Sequence, residues 1–165
     1  MERQDIDDEL SVAGAQDLLT SASMARVAYL GKDGTPRVIP IGFFWTGEQV
    51  VICTATTSPK VAALSAQPDV ALTIDVGETP AQARALSIRG RASVEIVDGV
   101  PAEYLAAASK TMDADPVAEF ERNCREMYDQ MARIVITPHW VRYYDFGAGR
   151  LPRFLQELAE RSHRT

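Results

Sequence analysis

The chain has 165 residues, of which 46% are hydrophobic and 24% charged, proportions typical of a folded globular domain rather than of a collagen, a coiled coil or a disordered chain. Seventeen basic residues against 23 acidic ones give a formal net charge of −6, which argues against a nucleic-acid-binding protein because phosphate backbones require a basic surface. The two cysteines, Cys53 and Cys124, form no CxxC pair and indicate free thiols in a reducing compartment rather than a zinc site or a disulfide framework.

The beginning of the chain shows no signal for export or membrane insertion. Residues 1–10 are acidic and contain no apolar signal region, and no apolar run reaches the ~18 residues that a membrane span needs. We therefore expect a cytoplasmic protein that does not bind membranes. No repeat, linker or low-complexity tract divides the chain, which predicts a single domain over residues 1–165, with residues 1–10 disordered and residues 146–165 forming a C-terminal helix and tail.

Apolar spacing along the chain predicts an antiparallel meander accompanied by helices. Asp33-Gly34 and Gly47 mark tight turns, and Ser58 followed by Pro59 marks a helix start. The predicted strands are residues 26–30, 37–45, 50–54, 70–76, 86–96 and 133–145. The predicted helices are residues 11–22, a helix from 59 that ends before 68, 101–112, 116–132 and 151–161. Most of these strands lack a helix after them, so an antiparallel barrel is favoured over a parallel α/β sheet.

The segment that leads into the helix at Pro59 contains a candidate anion site. Three hydroxyl residues, Thr56, Thr57 and Ser58, precede the helix start, with Thr54 and Lys60 on either side of them. A helix N-terminus has unpaired N–H groups and about half a positive charge, so nearby hydroxyls and an ammonium suit a phosphate. The alternative is an ordinary Ser-Pro-capped helix with Lys60 in solvent. The sequence has no GxxxxGK[ST] motif, which argues against a nucleoside-triphosphate loop.

Pro40 lies inside a predicted strand and marks an edge or a bulge, because proline donates no ladder hydrogen bond. Gly42, two residues later, allows another backbone or a flat ligand to come close. Free backbone groups there suit a planar heterocycle with amide-like edges, such as a flavin ring. A plain edge strand is the alternative interpretation.

Several other residues carry weaker signals. Arg89 and Arg91 share one strand face, where they are solvated or meet a phosphate, an anionic substrate or a partner subunit. His139 and His163 are the two histidines, too few to predict metal or haem ligation. The aromatic residues that either line a flat ligand or fill the core are Trp45, Trp140, Tyr143 and Tyr144.

Order and spacing of these motifs resemble the pyridoxamine 5′-phosphate oxidase-like family of FMN-binding split barrels, and most closely its flavin/deazaflavin oxidoreductase branch. The resemblance rests on Arg37-Val38-Ile39-Pro40, on the following Gly-Phe-Phe-Trp-Thr-Gly-Glu at 42–48, and on Thr54 with Ser58-Pro59-Lys60. It extends over about residues 19–145 and includes 86–92 and Ile136-x-Pro138.

The resemblance implies a mainly β (β+α) fold, a six-stranded antiparallel split β-barrel with peripheral helices, and a homodimer with two cofactor sites at its interface. In that family, residues matching Arg37, Thr54, Ser58 and Lys60 hold the phosphate, and the ring lies along the strand matching Val38 to Ile41. Together with the candidates above, the expected cofactor-binding residues are Arg37, Val38, Ile39, Pro40, Ile41, Thr54, Thr56, Ser58, Lys60, Arg89 and Arg91.

Two positions depart from the oxidase itself. This chain has Pro59 where the oxidase has arginine, and Gly42 where the oxidase has lysine. Both departures argue against oxidation of pyridoxine phosphate and leave room for the deazaflavin F420 in place of FMN, or for no cofactor.

The function expected from the resemblance is an FMN- or F420-dependent oxidoreductase that passes a hydride between the ring and a small conjugated substrate. The sequence has no GxSxG, HExxH or complete GxGxxG motif, and we assign no catalytic and no metal-binding residue. This agrees with flavin chemistry, in which the protein mainly holds and tunes the ring. Two alternatives stay open: a protein of the same fold that binds flavin, haem or tetrapyrrole without turnover, and a dimeric interaction domain with an empty pocket.

Overall fold

The computed structural model describes residues 1–162, which form seven strands and six α-helices. The strands are β1 (Met24–Leu30), β2 (Pro36–Gly42), β3 (Phe44–Trp45), β4 (Val50–Ala55), β5 (Asp69–Val76), β6 (Arg84–Asp98) and β7 (Gln130–Asp145). The helices are α1 (Arg3–Ser11), α2 (Ala13–Ser21), α3 (Pro59–Ala66), α4 (Ala102–Ser109), α5 (Ala114–Met127) and α6 (Arg153–Ser162). A 3₁₀ turn, Pro80–Gln82, precedes β6. None of the helices within residues 1–162 is long and apolar enough to cross a lipid bilayer.

All seven strands belong to one antiparallel sheet with the spatial order β2-β1-β5-β6-β7-β4-β3. β2 and β3 lie at opposite ends of this order, although only Phe43 separates them in the chain. The sheet must therefore curl until its two ends approach each other, and Phe43 is fully buried at the junction. This arrangement confirms the predicted fold class, a mainly β antiparallel split barrel with peripheral helices.

The predicted strand 37–45 is in fact two strands, so the sheet has seven strands rather than six. β2 pairs with β1 as far as Gly42, whereas β3 pairs with β4 from Phe44. The chain changes partner at Phe43, and this change opens a gap between β2 and β4. We call this gap the split.

Lys110, just after α4, connects the elements that meet at this change of partner. Its Nζ donates to the carbonyl oxygens of Phe43 at 3.0 Å and of Ala22, at the end of α2, at 3.1 Å. The ammonium also lies 3.9 Å from the centroid of the Phe43 ring. These contacts satisfy two carbonyls that leave regular secondary structure, and burial lowers the pKa of Lys110.

Two prolines explain why β2 ends the sheet. The Gly31 N–H donates to the Thr35 carbonyl at 2.9 Å, and the alternation of an antiparallel ladder then makes Tyr29↔Arg37 a hydrogen-bonded pair. Pro36 and Pro40 lie at the non-hydrogen-bonded positions of this ladder, where the backbone N–H and C=O positions are directed away from β1. Neither proline removes a hydrogen bond between β2 and β1. Because both lack an N–H on the outer edge of β2, a further strand could not pair with β2 at these positions. The interpretation of Pro40 as a marker of an edge strand is confirmed.

A bulge accommodates a proline in the middle of β7. Arg89 pairs with Trp140, but the next residue, Gly90, pairs with Pro138, so His139 is the extra residue. A Cβ on Gly90 would lie 2.7 Å from the Thr137 carbonyl oxygen, which only glycine avoids. Pro138 is tolerated in a central strand because the ladder is already interrupted there.

The buried side chains form two clusters on opposite faces of β4. Val50 and Ile52 face the larger cluster inside the barrel, which also contains Phe43. Val51 and Cys53 face a smaller cluster beneath α4 and α5. β4 is therefore buried on both sides, which explains its unbroken apolar sequence.

The predicted helix 116–132 extends too far at its C-terminal end. α5 ends at Met127, and residues from Gln130 onward pair with β6. Met131 is fully buried, but as part of strand β7. Strand alternation and helical spacing coincide at this residue, so the sequence pattern alone does not separate them. The predicted helix 151–161 corresponds to α6, and residues 163–165, with His163, lie outside the described residues.

The prediction of disorder for residues 1–10 is wrong, because this segment contains most of α1. Ile6 and Leu10 of α1 are buried against the barrel. Glu9 accepts hydrogen bonds from Arg142 at 2.9 Å, from Arg150 at 2.7 Å and from the Tyr143 backbone N–H at 2.9 Å. Ion pairs with residues far along the chain therefore hold the acidic segment in place. The composition of residues 1–10 alone does not indicate these partners.

We predict that Glu9→Gln lowers the free energy of unfolding at pH 7 by about 1–3 kcal/mol, because charge-assisted hydrogen bonds to two arginines are lost. Burial opposes ionisation of Glu9, but the bonds from Tyr143, Arg150 and Arg142 outweigh it and lower its pKa below 4.5. The stabilisation is therefore complete above about pH 4.5 and is lost as the pH falls through the lower pKa of the folded state.

Urea unfolding of wild type and Glu9→Gln between pH 7 and pH 3.5 measures this difference. It should be constant at neutral pH and shrink in acid. Asp8→Asn is the matched control, since within residues 1–162 the exposed Asp8 carboxylate accepts only from Gln4 on the same helix. Equal stability of the two variants at pH 7 would contradict the anchoring role of Glu9.

Candidate functional site

A half-buried ammonium, that of Lys60, lies between two hydroxyl groups at the start of α3. Lys60 Nζ is 2.8 Å from Ser58 Oγ and 3.3 Å from Thr54 Oγ1, and donates to both. Among residues 1–162 no carboxylate lies within ion-pair distance of Lys60. Burial lowers the pKa of Lys60. The cation is thus partly desolvated with only neutral partners.

The local fold explains why these groups converge. β4 ends at Ala55, and the chain turns through Thr56 and Thr57 into α3, with Ser58 at the N-cap and Pro59 at the first helical position. The Ser58 hydroxyl makes no capping bond to the helix backbone and accepts from Lys60 instead. The helix start was therefore predicted correctly, but Ser58 does not act as a side-chain cap.

The donor set at this helix start suits a phosphate group. An ammonium, the Thr54 and Ser58 hydroxyls and the N-terminus of α3 all favour a multiply charged anion. Thr56 lies beside them in the turn and is half-buried. We call Thr54, Thr56, Ser58 and Lys60 the anion cluster.

Arg37 lies at the same end of the barrel but in a separate hollow. β3 continues in the direction of β2, and β4 runs antiparallel to β3. The C-terminal end of β4 and the N-terminal end of β2 therefore lie at the same end of the barrel. Arg37 lines a hollow of about 310 Å³ with Tyr29 and Pro59. Its guanidinium contacts the Thr35 hydroxyl and pairs with Asp33 at 2.8 Å. Hydrogen bonds from Thr35 and then Arg37 lower the pKa of Asp33 to about 2.

The predicted ring-binding residues of β2 point to different surroundings. Ile39 packs against the larger core cluster, and Pro40 lies exposed on the free edge. Val38 is 66% exposed on the opposite sheet face from Ile39. Ile41 and Gly42 line a cavity at the split. The edge strand thus has one face towards the core and another towards open surface.

Val38 belongs to a row of residues that crosses five strands on the outside of the sheet. The ladder pairs Val38 with Ala28, Ala28 with Ala71, Ala71 with Arg89 and Arg89 with Trp140. These five residues line a groove of about 450 Å³, which we call the outer groove. Small side chains at its centre leave the sheet flat and accessible there.

The two predicted strand arginines differ in their partners. Arg89 stacks over the Trp140 ring, with its Cζ 4.4 Å from the centroid, and has no carboxylate partner among residues 1–162. Arg91 pairs with Asp69 at 3.3 Å on the exposed surface. Arg89 is therefore the better placed of the two to meet a ligand or another subunit.

Of the candidate aromatic residues, Trp45 and Tyr143 are buried in the larger core cluster. Trp140 lines the outer groove, and Tyr144 lines a hollow beneath α6. His139 is exposed at the β7 bulge, and the described residues contain no group of three His, Cys, Asp or Glu residues placed to hold a metal ion.

Sequence reasoning missed a cavity of about 320 Å³ in the split. We call it the split cavity. Tyr104 of α4 and Phe120 of α5 stack over it with ring centroids 5.8 Å apart. The residues that define it are Ile41, Gly42, Cys53, Tyr104, Ala107 and Phe120. Phe120 of α5 packs against the smaller core cluster, but no sequence signal showed which strands α5 covers.

Cys53 is not a nucleophile at neutral pH. Burial raises the pKa of its thiol to about 12, the nearby Glu103 carboxylate adds to this, and Arg133 opposes it only in part. Arg133 is itself engaged, since its Nη2 pairs with Glu103 at 2.7 Å. The thiol therefore contributes a neutral surface to the split cavity.

The family model described as pyridoxamine 5′-phosphate oxidase matches residues 13–145, most of the chain. No curated protein matches the chain in sequence.

Several solved structures are similar to the chain. A conserved hypothetical protein from Mycobacterium tuberculosis shares 18% identity at a TM-score of 0.64, over 93% of this chain and 90% of that one. A structure named F420 reductase shares 27% identity at a TM-score of 0.58, over 76% of this chain and 94% of that one. The haem storage protein HutZ from Vibrio cholerae shares 13% identity at a TM-score of 0.55, over 76% and 89% of the two chains. The first and third likenesses concern the fold alone.

Proposed function

The chain belongs to the pyridoxamine 5′-phosphate oxidase family, and from this membership we propose that it is an oxidoreductase that binds FMN or F420 and acts on a small conjugated substrate. The bound ring would supply the redox chemistry by accepting or donating a hydride. The substrate would exchange with water the proton that accompanies this hydride. The chain's own residues would hold the phosphate, orient the ring and exclude water.

The ammonium of Lys60 is the observation that carries this proposal. A desolvated cation that has only hydroxyl partners is destabilised until an anion joins it. The helix N-terminus adds to the positive potential at the same place. A phosphate bound to the anion cluster would restore the pKa of Lys60 towards its usual value and complete its coordination.

The edge strand β2 supports the position proposed for the ring. The ladder leaves the N–H and C=O of Val38 directed away from β1, where no strand accepts them within the described chain. A flavin or deazaflavin ring has amide-like edges that pair with such groups. Of the four predicted ring-binding residues, Val38 would offer its N–H and C=O to the ring and Pro40 its C=O. The backbone groups of Ile39 and Ile41 pair with β1 instead.

The similarity to a structure named F420 reductase keeps the deazaflavin beside FMN as a candidate. Pro59 and Gly42, at positions where the oxidase has basic residues, remove two positive charges from the proposed site. A cofactor that needs less positive charge at residues 42 and 59 is compatible with these two differences from the oxidase.

We further propose that two copies associate through the outer groove and complete each cofactor site. Val38 is 66% exposed there, and Ala28 and Ala71 present a flat surface beside it. Arg89 projects from the same face and has no carboxylate partner among the described residues 1–162. In a dimer Arg89, and Arg91 at its side, would reach the partner subunit or an anion that it holds.

Titration of the apoprotein with FMN and with F420, followed by ligand fluorescence, tests the proposal. Micromolar binding of one cofactor, followed by reoxidation of its reduced form by a conjugated ketone, is the expected result. Binding of flavin, haem or a tetrapyrrole without any turnover would favour the sequestering alternative. Binding of neither FMN nor F420 at micromolar concentration would overturn the proposal.

We predict that Lys60→Met weakens FMN binding by about 1.5–3 kcal/mol, which is roughly 10- to 150-fold, because a charge-assisted bond to phosphate is lost. Riboflavin, which has the same ring without phosphate, should bind wild type and variant equally well. Arg122→Met on the exposed surface of α5 is the matched control and should leave both affinities unchanged. Equal loss of FMN and riboflavin affinity would remove Lys60 from the phosphate site.

We predict that Val38→Asp converts a dimer into monomers without unfolding the chain, because a carboxylate would be buried in the proposed interface but is solvated in the free subunit. Light scattering measures the mass, and circular dichroism checks the fold. Met127→Asp, at a residue 71% exposed on α5, is the control and should stay dimeric. A monomeric wild type, or a dimeric Val38→Asp, would contradict an interface at the outer groove.

A further inference from the structure

The split cavity lies beside both parts of the proposed cofactor site. The register of β3 with β4, extended past Phe44↔Val51, would set Gly42 opposite Cys53 and Ile41 opposite Thr54. β2 instead turns away to pair with β1, and the cavity occupies the space between these residues. Thr54 therefore touches Lys60 at one end of the split, while Gly42 and Cys53 border the cavity further along it.

Among residues 1–162, none of those that line the cavity has a charged side chain. Its walls are the stacked rings of Tyr104 and Phe120, aliphatic carbons and the neutral thiol of Cys53. The few polar groups are hydroxyls, contributed by Ser23, Thr111 and Tyr104. Such a surface penalises an ion, which would lose its hydration without a counter-charge. It favours a flat ring that stacks on the aromatic pair and accepts or donates one or two hydrogen bonds.

The position of α4 explains why the cavity persists. α4 covers the split, and its alanines approach the strands closely: Ala107 Cβ is 3.8 Å from the Cβ position of Gly42. Lys110 fixes the end of this helix through the Phe43 and Ala22 carbonyls. Small residues on the cavity side of a fixed helix leave open a space that larger side chains would fill.

We infer that the split cavity binds an uncharged, flat aromatic or conjugated molecule. If the proposed function holds, this molecule is the second reactant, since the cavity adjoins the strand that would seat the ring. The inference about binding stands on the cavity itself, and only the role of the occupant rests on the proposed function.

Two probes of the same shape test the charge preference. 2-Acetylnaphthalene is neutral and 2-naphthoate is an anion, and isothermal titration calorimetry measures the binding of each to the apoprotein. The neutral probe should bind with submillimolar affinity and the anion at least about tenfold more weakly. No binding of the neutral probe up to its solubility, or equal or tighter binding of the anion, would overturn the inference.

Substitutions at two alanines of α4 test whether the probe binds in the split cavity. Ala108 lines the cavity, whereas Ala106 on the same helix does not, and both are half-buried. Ala108→Phe should weaken binding of 2-acetylnaphthalene at least about tenfold because the new ring occupies the space, and Ala106→Phe should change it less than about twofold. Unchanged affinity of a folded Ala108→Phe would show that the probe binds elsewhere. A change in the mass of the protein without a change in affinity would assign the cavity to contacts between copies and overturn the inference.

Phe120→Leu provides a milder test if Ala108→Phe fails to fold. This change keeps an apolar side chain but removes the stacked ring, and it should weaken the aromatic probe severalfold. Unchanged affinity would again contradict the assignment. Lys60→Met should leave binding of 2-acetylnaphthalene intact, so loss of the cofactor site and loss of the cavity site are distinguishable.

Discussion

The change of strand partner at Phe43 is the constraint on which the rest of the molecule depends. A chain that pairs with β1 up to Gly42 and with β4 from Phe44 must bridge the two ends of a curled sheet. The bridge leaves carbonyl groups outside the ladder, and a buried carbonyl without a donor is costly. Lys110 supplies that donor from α4, so the helix that covers the split also stabilises the junction that creates it. Replacing Lys110 with an apolar residue would leave the buried Phe43 carbonyl without this donor.

The split in turn determines where ligand chemistry can occur. β4 pairs with β7 along one edge, but on its other edge it loses β2 as a neighbour, so Cys53 and Thr54 have a gap there in place of a paired strand. Thr54 is the residue that Lys60 reaches from the next helix, which places a cation at one end of the gap. Uncharged aromatic walls line the neighbouring stretch. One gap thus offers a polar end that suits an anion and, further along, an apolar stretch that suits an uncharged ring.

The sequence was informative wherever a signal was local. Ser58-Pro59 predicted the start of α3, Asp33-Gly34 the first turn, and Pro40 an edge strand, because backbone sterics act within a few residues. The order of motifs was enough to predict the split barrel. It could not predict that Glu9 would bind arginines more than 130 residues away, or that α5 would cover β4, because both depend on tertiary packing. Thr54, Ser58 and Lys60 were predicted to lie together, and the structure joins their side chains by hydrogen bonds. The placement of Arg37 in a separate hollow was not predicted.

The partners of the basic side chains rank them as ligands for an anion. Arg37 and Arg91 each have a carboxylate within their own chain, so an incoming phosphate must compete with Asp33 or Asp69 for them. Lys60 has only hydroxyl partners among the described residues, and an anion that reaches it displaces no carboxylate. Forming a first ion pair in a partly desolvated site yields more than exchanging one exposed pair for another. If a phosphate binds as proposed, we therefore expect it to gain more from Lys60 in the anion cluster than from Arg37 or Arg91.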